Sequence, residues 1–453
     1  KDIKRRGKMY NFHKGLYTDI RIEDFYETKI IFTQGKLDEL KEKNYIAAFI
    51  RVFDGKKWYY SSVTDMDCIQ SEIDKLSDMA VPCSNIDEDP VVQLFEVNKG
   101  RYMTFEDVSI RKKSISEKKS LLTSFFSYLE GIKEIKTYKT SYIDTNVKKH
   151  FISSKGADIE FDFQKAGFSL GFSMVKGEKR VSESFERTDT VFEKLTGHEK
   201  ELKEYLDKCL FYLENYVQLE PGAYTAILSP QAAGVFAHES FGHKSESDFM
   251  LGDENMKKEW AIGKKVGSDI LSIVDSGKIP GSGYVQYDDE GTRACETYLI
   301  KNGTLAGRLH SAYTAAALDE KLTGNARAKD FEYEPIVRMT STYILPGNKT
   351  KEQLISEVSD GILIETINHG SGMSDFTIAP RRAYRIRNGK ITEPVSISVI
   401  TGNVFSTLNE IDGLSDKLEI LSFIMGGCGK MEQYPLSVGF GGPYVRVRTI
   451  NAR

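Results

Sequence analysis

The sequence predicts an α+β protein of two domains. An N-terminal domain of sheet plus helices spans residues 1–220, and a β-rich C-terminal domain spans residues 221–453. Three observations lead there. A chain of 453 residues exceeds what a single hydrophobic core ordinarily organises. Strand-like runs cluster between glycine turns and are interrupted by amphipathic helices, the mixture expected of an α+β chain. Pro221-Gly222 separates a helix that closes the first half from an apolar run that opens the second, and such a dipeptide punctuates a chain.

Residues 1–16 are basic and aperiodic and read as a loose terminus. Tyr17–Glu23 alternates as a strand, and Tyr26–Phe32 reads as a second one that turns at Gln34-Gly35. Ala47–Phe53 and Lys57–Val63 flank Asp54-Gly55, a dipeptide suited to a primed hairpin turn. Thr64, with Asp67 three residues on, reads as the cap of a helix whose apolar positions are Met66, Ile69, Ile73 and Leu76. Asn85–Pro90 is an acidic loop, and Ser116–Leu129 has the apolar face of a helix. From Ile132 to Phe185 the pattern is strand-like, with Gly156, Gly167, Gly171 and Gly177 as turns or bulges. Glu199–Tyr216 reads as the closing helix.

In the second half, Ala223–Leu228 is a buried strand. Ser229 caps the helix that follows, with Pro230 at its first position, where a missing N–H costs nothing. A lysine- and glycine-rich loop comes next, then Glu296–Lys301 and Leu305–His310 as strands about Asn302-Gly303. Thr350 and Gln353 frame a short capped helix that Gly361 closes. Two strands lie about Asn388-Gly389, and short strands follow the Gly-flanked Cys428 through Val438 and Val445–Ile450.

The chemistry concentrates at the far end of the Pro230 helix, in His238-Glu239-Ser240-Phe241-Gly242-His243. Two imidazoles with an adjacent carboxylate are the raw material of a zinc hydrolase. The common zincin helix spaces its histidines four apart, about 40° around the axis. Five apart gives about 140° on a regular helix. A π-bulge, or unwinding at Gly242, is therefore expected to bring both rings to one side. Spacing alone also admits two helix histidines satisfied by hydrogen bonds. A catalytic zinc takes three protein ligands and leaves a fourth position for water. Among the remaining candidates Cys428 has the telling setting, since glycines on both sides leave its thiol uncrowded. A small buried core residue is the other reading of Cys428.

Composition bounds the partners. A formal net charge of -4 gives no electrostatic footprint for nucleic acid. Its basic clusters, Lys4–Arg6 and Lys148-Lys149, are too short to signify binding. No apolar run reaches membrane-spanning length, and no signal-peptide pattern opens the chain. Five scattered cysteines do not form a disulfide framework, so a reducing, cytoplasmic compartment is expected.

Taken together, several segments resemble the TldD/PmbA family, once called modulators of DNA gyrase. They are His238–His243 followed by Glu246 and Asp248, Asp288-Asp289-Glu290-Gly291-Thr292, Pro335–Thr340, and Cys428. The resemblance is strong from about Ala223 onward and runs in order before that through Ile50–Gly55 and Lys57-Trp58. It implies the metalloprotease branch, with zinc held by His238, His243 and Cys428 and with Glu239 as general base. It also implies a homodimer, or a heterodimer with an inactive paralogue, and short or unfolded peptides as substrate. The short N-terminal lead-in and the Gly-rich loop His369–Ser374 depart from the family pattern. Glu246, three residues after His243, is placed to accept its free ring N–H, or is a solvated helix charge. Against the peptidase stands a non-catalytic regulatory protein of the topoisomerase-modulator type, with a structural or vestigial metal site. An intact Glu239 favours the enzyme, because a structural zinc needs no base and usually takes four protein ligands.

Overall fold

The structure, a computed structural model, describes residues 10–372, 374–422 and 424–453. The Lys4–Arg6 cluster and Met373 of the expected Gly-rich loop lie outside the described residues. Residues 10–16, the described part of the lead-in, are not loose: Leu16 is buried, and Tyr10 and Phe12 pack against the first core.

A seven-stranded sheet organises the first half. Its strands are β1 (Tyr17–Thr33), β2 (Lys36–Phe53), β3 (Trp58–Val63), β4 (Lys99–Tyr102), β5 (Ile135–Ser153), β6 (Asp158–Lys176) and β7 (Lys179–Asp189). They lie in the order β3-β2-β1-β5-β6-β4, with β7 also paired to β6. The two strands expected between Tyr17 and Phe32 are one. Asp24 and Phe25 interrupt the apolar alternation, but they stay paired to Ile46 and Tyr45 on one side and to Lys148 and Val147 on the other. Pairing along both edges overrides the local pattern. Gln34 and Gly35 make the turn, with φ of 51° and 72°, the left-handed pair a type I′ turn demands. Gly156 and Gly177, at φ of 100° and 60°, end strands. Gly167 and Gly171, read as turns or bulges, remain inside β6.

Helix α1 (Ile69–Met79) buries Ile69, Ile73 and Leu76. Its lead-in turn is capped by Asp65 rather than Thr64: the Asp65 carboxylate accepts the Asp67 N–H at 2.9 Å. The acidic loop holds α2 (Pro90–Leu94), capped by Asp89. The helix expected at Ser116–Leu129 is split into α3 (Ile115–Thr123) and α4 (Phe126–Glu130). Between them the Phe125 N–H tightens onto the Leu122 carbonyl at 3.3 Å, and its ring packs 4.9 Å from that of Phe168. Helix α5 (Glu199–Asn215) closes this layer over β6 and β7 with Leu202, Leu206 and Leu213.

From there the chain runs through β8 (Val217–Gln218) into β9 (Gly222–Leu228) and α6 (Pro230–Ala237). Strand β9 lies between Asp360–Gly372, parallel to it, and Val445–Ala452, antiparallel. Val445–Ala452 continues to Ile400–Asn403, that strand to Asp375–Arg387, and the last returns to Asp360–Gly372. The pairing therefore closes on itself. The expected loop at His369 is strand, with His369 opposite Ala379. Gly361, expected to close the Thr350 helix, also belongs to this strand, opposite Thr225. The Leu305–His310 strand shrinks to Thr304-Leu305, and the lysine-rich loop contains a helix, Glu254–Glu259. A six-stranded sheet including Ser341–Ile344, Gly439–Gly442 and Glu419–Leu421 completes this half. Helix α6 is wedged between the two sheets. A Cβ on Gly234 would lie 2.4 Å from the Gly441 nitrogen, and one on Gly370 would lie 2.6 Å from a Val235 methyl. Small residues let both sheets close on the helix. Among the described residues no helix is long and apolar enough to cross a membrane.

Asp288–Thr292 ties the two halves together. Asp289 meets Lys149 at 2.5 Å. Arg51 donates to Asp19 at 2.8 Å and to Glu290 at 3.1 Å, its guanidinium 4.3 Å over the Trp58 ring. All of these charges but Lys149 are almost wholly buried. Arg51→Met would strand Asp19 and Glu290 together, so it is expected to cost about 3–5 kcal/mol of stability. A lowered denaturation midpoint checks this, and an unchanged midpoint would mean that the carboxylates find another partner.

Candidate metal site

Ser229 and Pro230 start α6 as the residue types require: the Ser229 hydroxyl accepts the Ala232 N–H at 3.3 Å. The helix changes pitch where the histidine spacing demands it. His238–Gly242 is a single π turn, and the His243 N–H reaches the His238 carbonyl five residues back. Gly242 does not unwind; its φ and ψ of −56° and −51° are helical. What it supplies is room, since a Cβ there would lie 2.1 Å from the Met339 sulfur. The two imidazole centroids stand 5.1 Å apart.

Cys428 arrives from the opposite side on a hairpin, Cys428–Lys430 paired with Gln433–Leu436. Its Sγ lies 3.4 Å from His243 Nε2. The candidate ligand atoms of His238, His243 and Cys428 all fall within 4.8 Å of one another. Among the described residues no other trio of His, Cys, Asp or Glu converges in this way. Burial opposes a thiolate, but hydrogen bonds from His238 and His243 outweigh it and pull the Cys428 thiol down to about 5. Burial likewise opposes a charged His243, but its bonds to Cys428 and Glu246 raise it to about 10. Glu239 is half-buried beside the cluster, across from Gly370, whose missing Cβ leaves space against the Glu239 stem. The other histidines are elsewhere. His310 is buried against Glu320 at 2.9 Å, His13, His150 and His198 pair with surface acids, and His369 is exposed.

Glu246 is fully buried, its Oε2 3.1 Å from His243 Nδ1. Lys430, two residues beyond Cys428, reaches the same carboxylate oxygen at 3.0 Å and Asp248 at 2.6 Å. Burial alone would raise the Glu246 pKa, but His243 and Lys430 hold it below the usual range. Arg338, fully buried, donates to the carbonyls of Cys428 at 2.8 Å and Gln433 at 3.2 Å and so bolts the hairpin in place. Sequence reasoning missed Lys430, and it marked Arg338 only as part of the Pro335–Thr340 segment, with no role. The available signal was alternation: Cys428 and Lys430 share one strand face, and Glu246 and Asp248 repeat the two-residue spacing.

Two imidazoles, a thiolate and an unshared carboxylate at a helix end define the site class of a metal-dependent hydrolase. The sequence model of the PmbA/TldA metallopeptidase C-terminal domain matches residues 221–453, and that of domain 1 matches residues 18–81. The chain belongs to the PmbA/TldD family of metallopeptidases. It is 30% identical over 449 residues to a metalloprotease of Methanocaldococcus jannaschii, covering 95% of this chain and 96% of the relative. A zinc metalloprotease TldD homolog of Saccharolobus solfataricus is 30% identical over 327 residues, 70% of this chain and 71% of the relative. In fold, the chain is similar to the crystal structure of TldE from Thermococcus kodakarensis, with a TM-score of 0.79 at 16% identity, covering 96% of each chain.

Proposed function

We propose that this chain is a zinc peptidase acting on short or unfolded peptides, with His238, His243 and Cys428 as metal ligands and Glu239 as general base. The observation that carries the reading is the convergence of the three ligand atoms at a π turn that also bears Glu239. The donor set suits zinc, which accepts imidazole and thiolate together. His238 Nδ1 is buried without a hydrogen-bond partner, an orphan that a bound cation or its water would relieve. Glu239 stands outside the ligand cluster, and no fourth protein ligand joins the three among the described residues. That favours a catalytic over a structural site.

Zinc held there supplies Lewis acidity, acidifying water and polarising a peptide carbonyl. Glu239 takes the proton of the attacking water and delivers it to the leaving amine nitrogen. Glu246 accepts the Nδ1–H of His243 and so fixes the tautomer that turns Nε2 toward Cys428. Lys430 keeps Glu246 charged and ties the Cys428 hairpin to the helix. Glu246→Gln is therefore expected to weaken zinc binding about 10–100-fold; an unaltered affinity in chelator competition would make Glu246 a bystander.

An extended peptide adding to the edge strand Glu419–Leu421 would bind through its main chain, which only unfolded segments offer. The same reading includes a dimer with an identical chain or a paralogue, and a reducing, cytoplasmic compartment that spares the thiolate. Turnover of an unstructured peptide tests it. Activity is expected to vanish on chelation, return with zinc, and spare a folded domain. Turnover that survives complete chelation would refute it.

A further inference from the structure

A cavity of about 460 Å³ opens between one face of the N-terminal sheet and the C-terminal half. The metal ligands do not line it, but one wall is their hairpin, through Pro435, Leu436 and Ser437. Leu436 stands directly opposite Cys428 in the ladder. Opposed Cα atoms are about 5 Å apart and consecutive ones about 3.8 Å, so Ser437 lies within about 10 Å of Cys428 along the backbone.

The charged groups lining this cavity are not all paired with one another. Five lining carboxylates, Glu23, Glu27, Glu39, Asp289 and Asp330, each have a Lys or Arg within 4.0 Å. Asp162 and Asp288 accept backbone N–H groups instead. Three lining cations have no such partner among the described residues: Lys41, which is exposed to solvent, Lys165 and Arg327. Lys165 Nζ, from β6, donates to the Ser437 hydroxyl at 2.6 Å. Arg327, only 5% exposed, donates to the carbonyls of Ser437 at 2.8 Å and Met339 at 2.5 Å. Two cations from different halves of the chain thus converge on one residue with no anion between them. Charge kept from water without a partner is costly, and a site that holds the half-buried Lys165 beside the buried Arg327 is built to receive an anion.

We propose that Lys165 and Arg327 form a carboxylate subsite for the peptide, an inference that rests on the peptidase reading above. The ligand chemistry is a carboxylate, supplied by the peptide's C-terminus or by an Asp or Glu side chain. Burial, with Arg327 adding to it and Glu27 opposing, pushes the Lys165 ammonium down to about 8; an arriving carboxylate would restore its charge. An extended chain advances about 3.3 Å per residue, so a carboxylate held near Ser437 sets the cut about two to four residues from it.

The test uses one unstructured ten-residue peptide in three forms: free acid, C-terminal amide, and amide with one internal Glu. If the terminus is the ligand, amidation lowers kcat/KM about 10–100-fold, the worth of a charge-assisted hydrogen bond, and product masses place the cut at a fixed distance from the free end. If a side chain serves, amidation changes little and the internal Glu raises kcat/KM by a similar factor over the plain amide. Lys165→Met is expected to abolish the discrimination and Lys165→Arg to keep it, with thermal melts confirming that both variants fold. Binding of the same fluorescein-labelled peptides to chelated protein gives a readout independent of turnover. Turnover indifferent to all three peptide forms and to Lys165→Met would overturn the subsite while leaving the peptidase standing. Acid-selective, Lys165-dependent binding without any turnover would support the subsite while the peptidase reading fails.

Discussion

Glu239→Gln is expected to lower peptide turnover by about a hundred- to ten-thousandfold, the usual contribution of a positioned general base. Glutamine keeps the size and shape of the side chain and removes only its ability to take a proton. Glu239 lies outside the cluster of ligand atoms, so zinc content and peptide KM should stay near those of the unaltered chain. A fall in kcat and kcat/KM together, with binding intact, is the signature of an interaction made in the transition state. Full activity in this variant would pass the proton to another group and remove Glu239 from the mechanism.

Cys428→Ser is expected to weaken zinc binding on the order of a hundred- to thousandfold. Structural zinc sites with four ligands bind with about 10–16 kcal/mol, which apportions roughly 2.5–4 kcal/mol to each, and 1.4 kcal/mol is a factor of ten. Serine fills the same volume, and Arg338 still holds the backbone carbonyl at this position, so the hairpin should stay in place. What is lost is the anion: the Cys428 thiol is pulled down to about 5, while a serine hydroxyl stays protonated. Competition with a chromophoric chelator measures the change. An affinity unchanged by the substitution would place the third ligand elsewhere.

Much of the candidate site was legible because its information is local. His238 and His243, five positions apart, cannot share a face on a regular α-helix, and the π turn is the physical answer to that conflict. Ser229-Pro230 and Thr350 with Gln353 announce their caps by chemistry that acts within one turn. The rest depends on partners far along the chain. β1 runs on through Asp24 and Phe25 because strands on both sides pair with it, which no local alternation reveals. His369 reads as loop among glycines, yet Gly370 is needed where the strand passes Val235 of α6. Lys430 earns its place only once the hairpin folds back on Glu246 and Asp248. Asp288–Thr292 resembles a cluster with chemistry of its own, but its buried carboxylates join the halves of the molecule through Arg51 and Lys149.

The central claim, that two histidines and one distant cysteine share a zinc ion, is tested most directly by zinc-edge X-ray absorption on the zinc-loaded protein. The account predicts one sulfur at about 2.3 Å and two imidazole nitrogens at about 2.0–2.1 Å, with the sulfur shell absent in Cys428→Ser. A wild-type first shell of nitrogen and oxygen alone, or one that keeps its sulfur after the substitution, would contradict it.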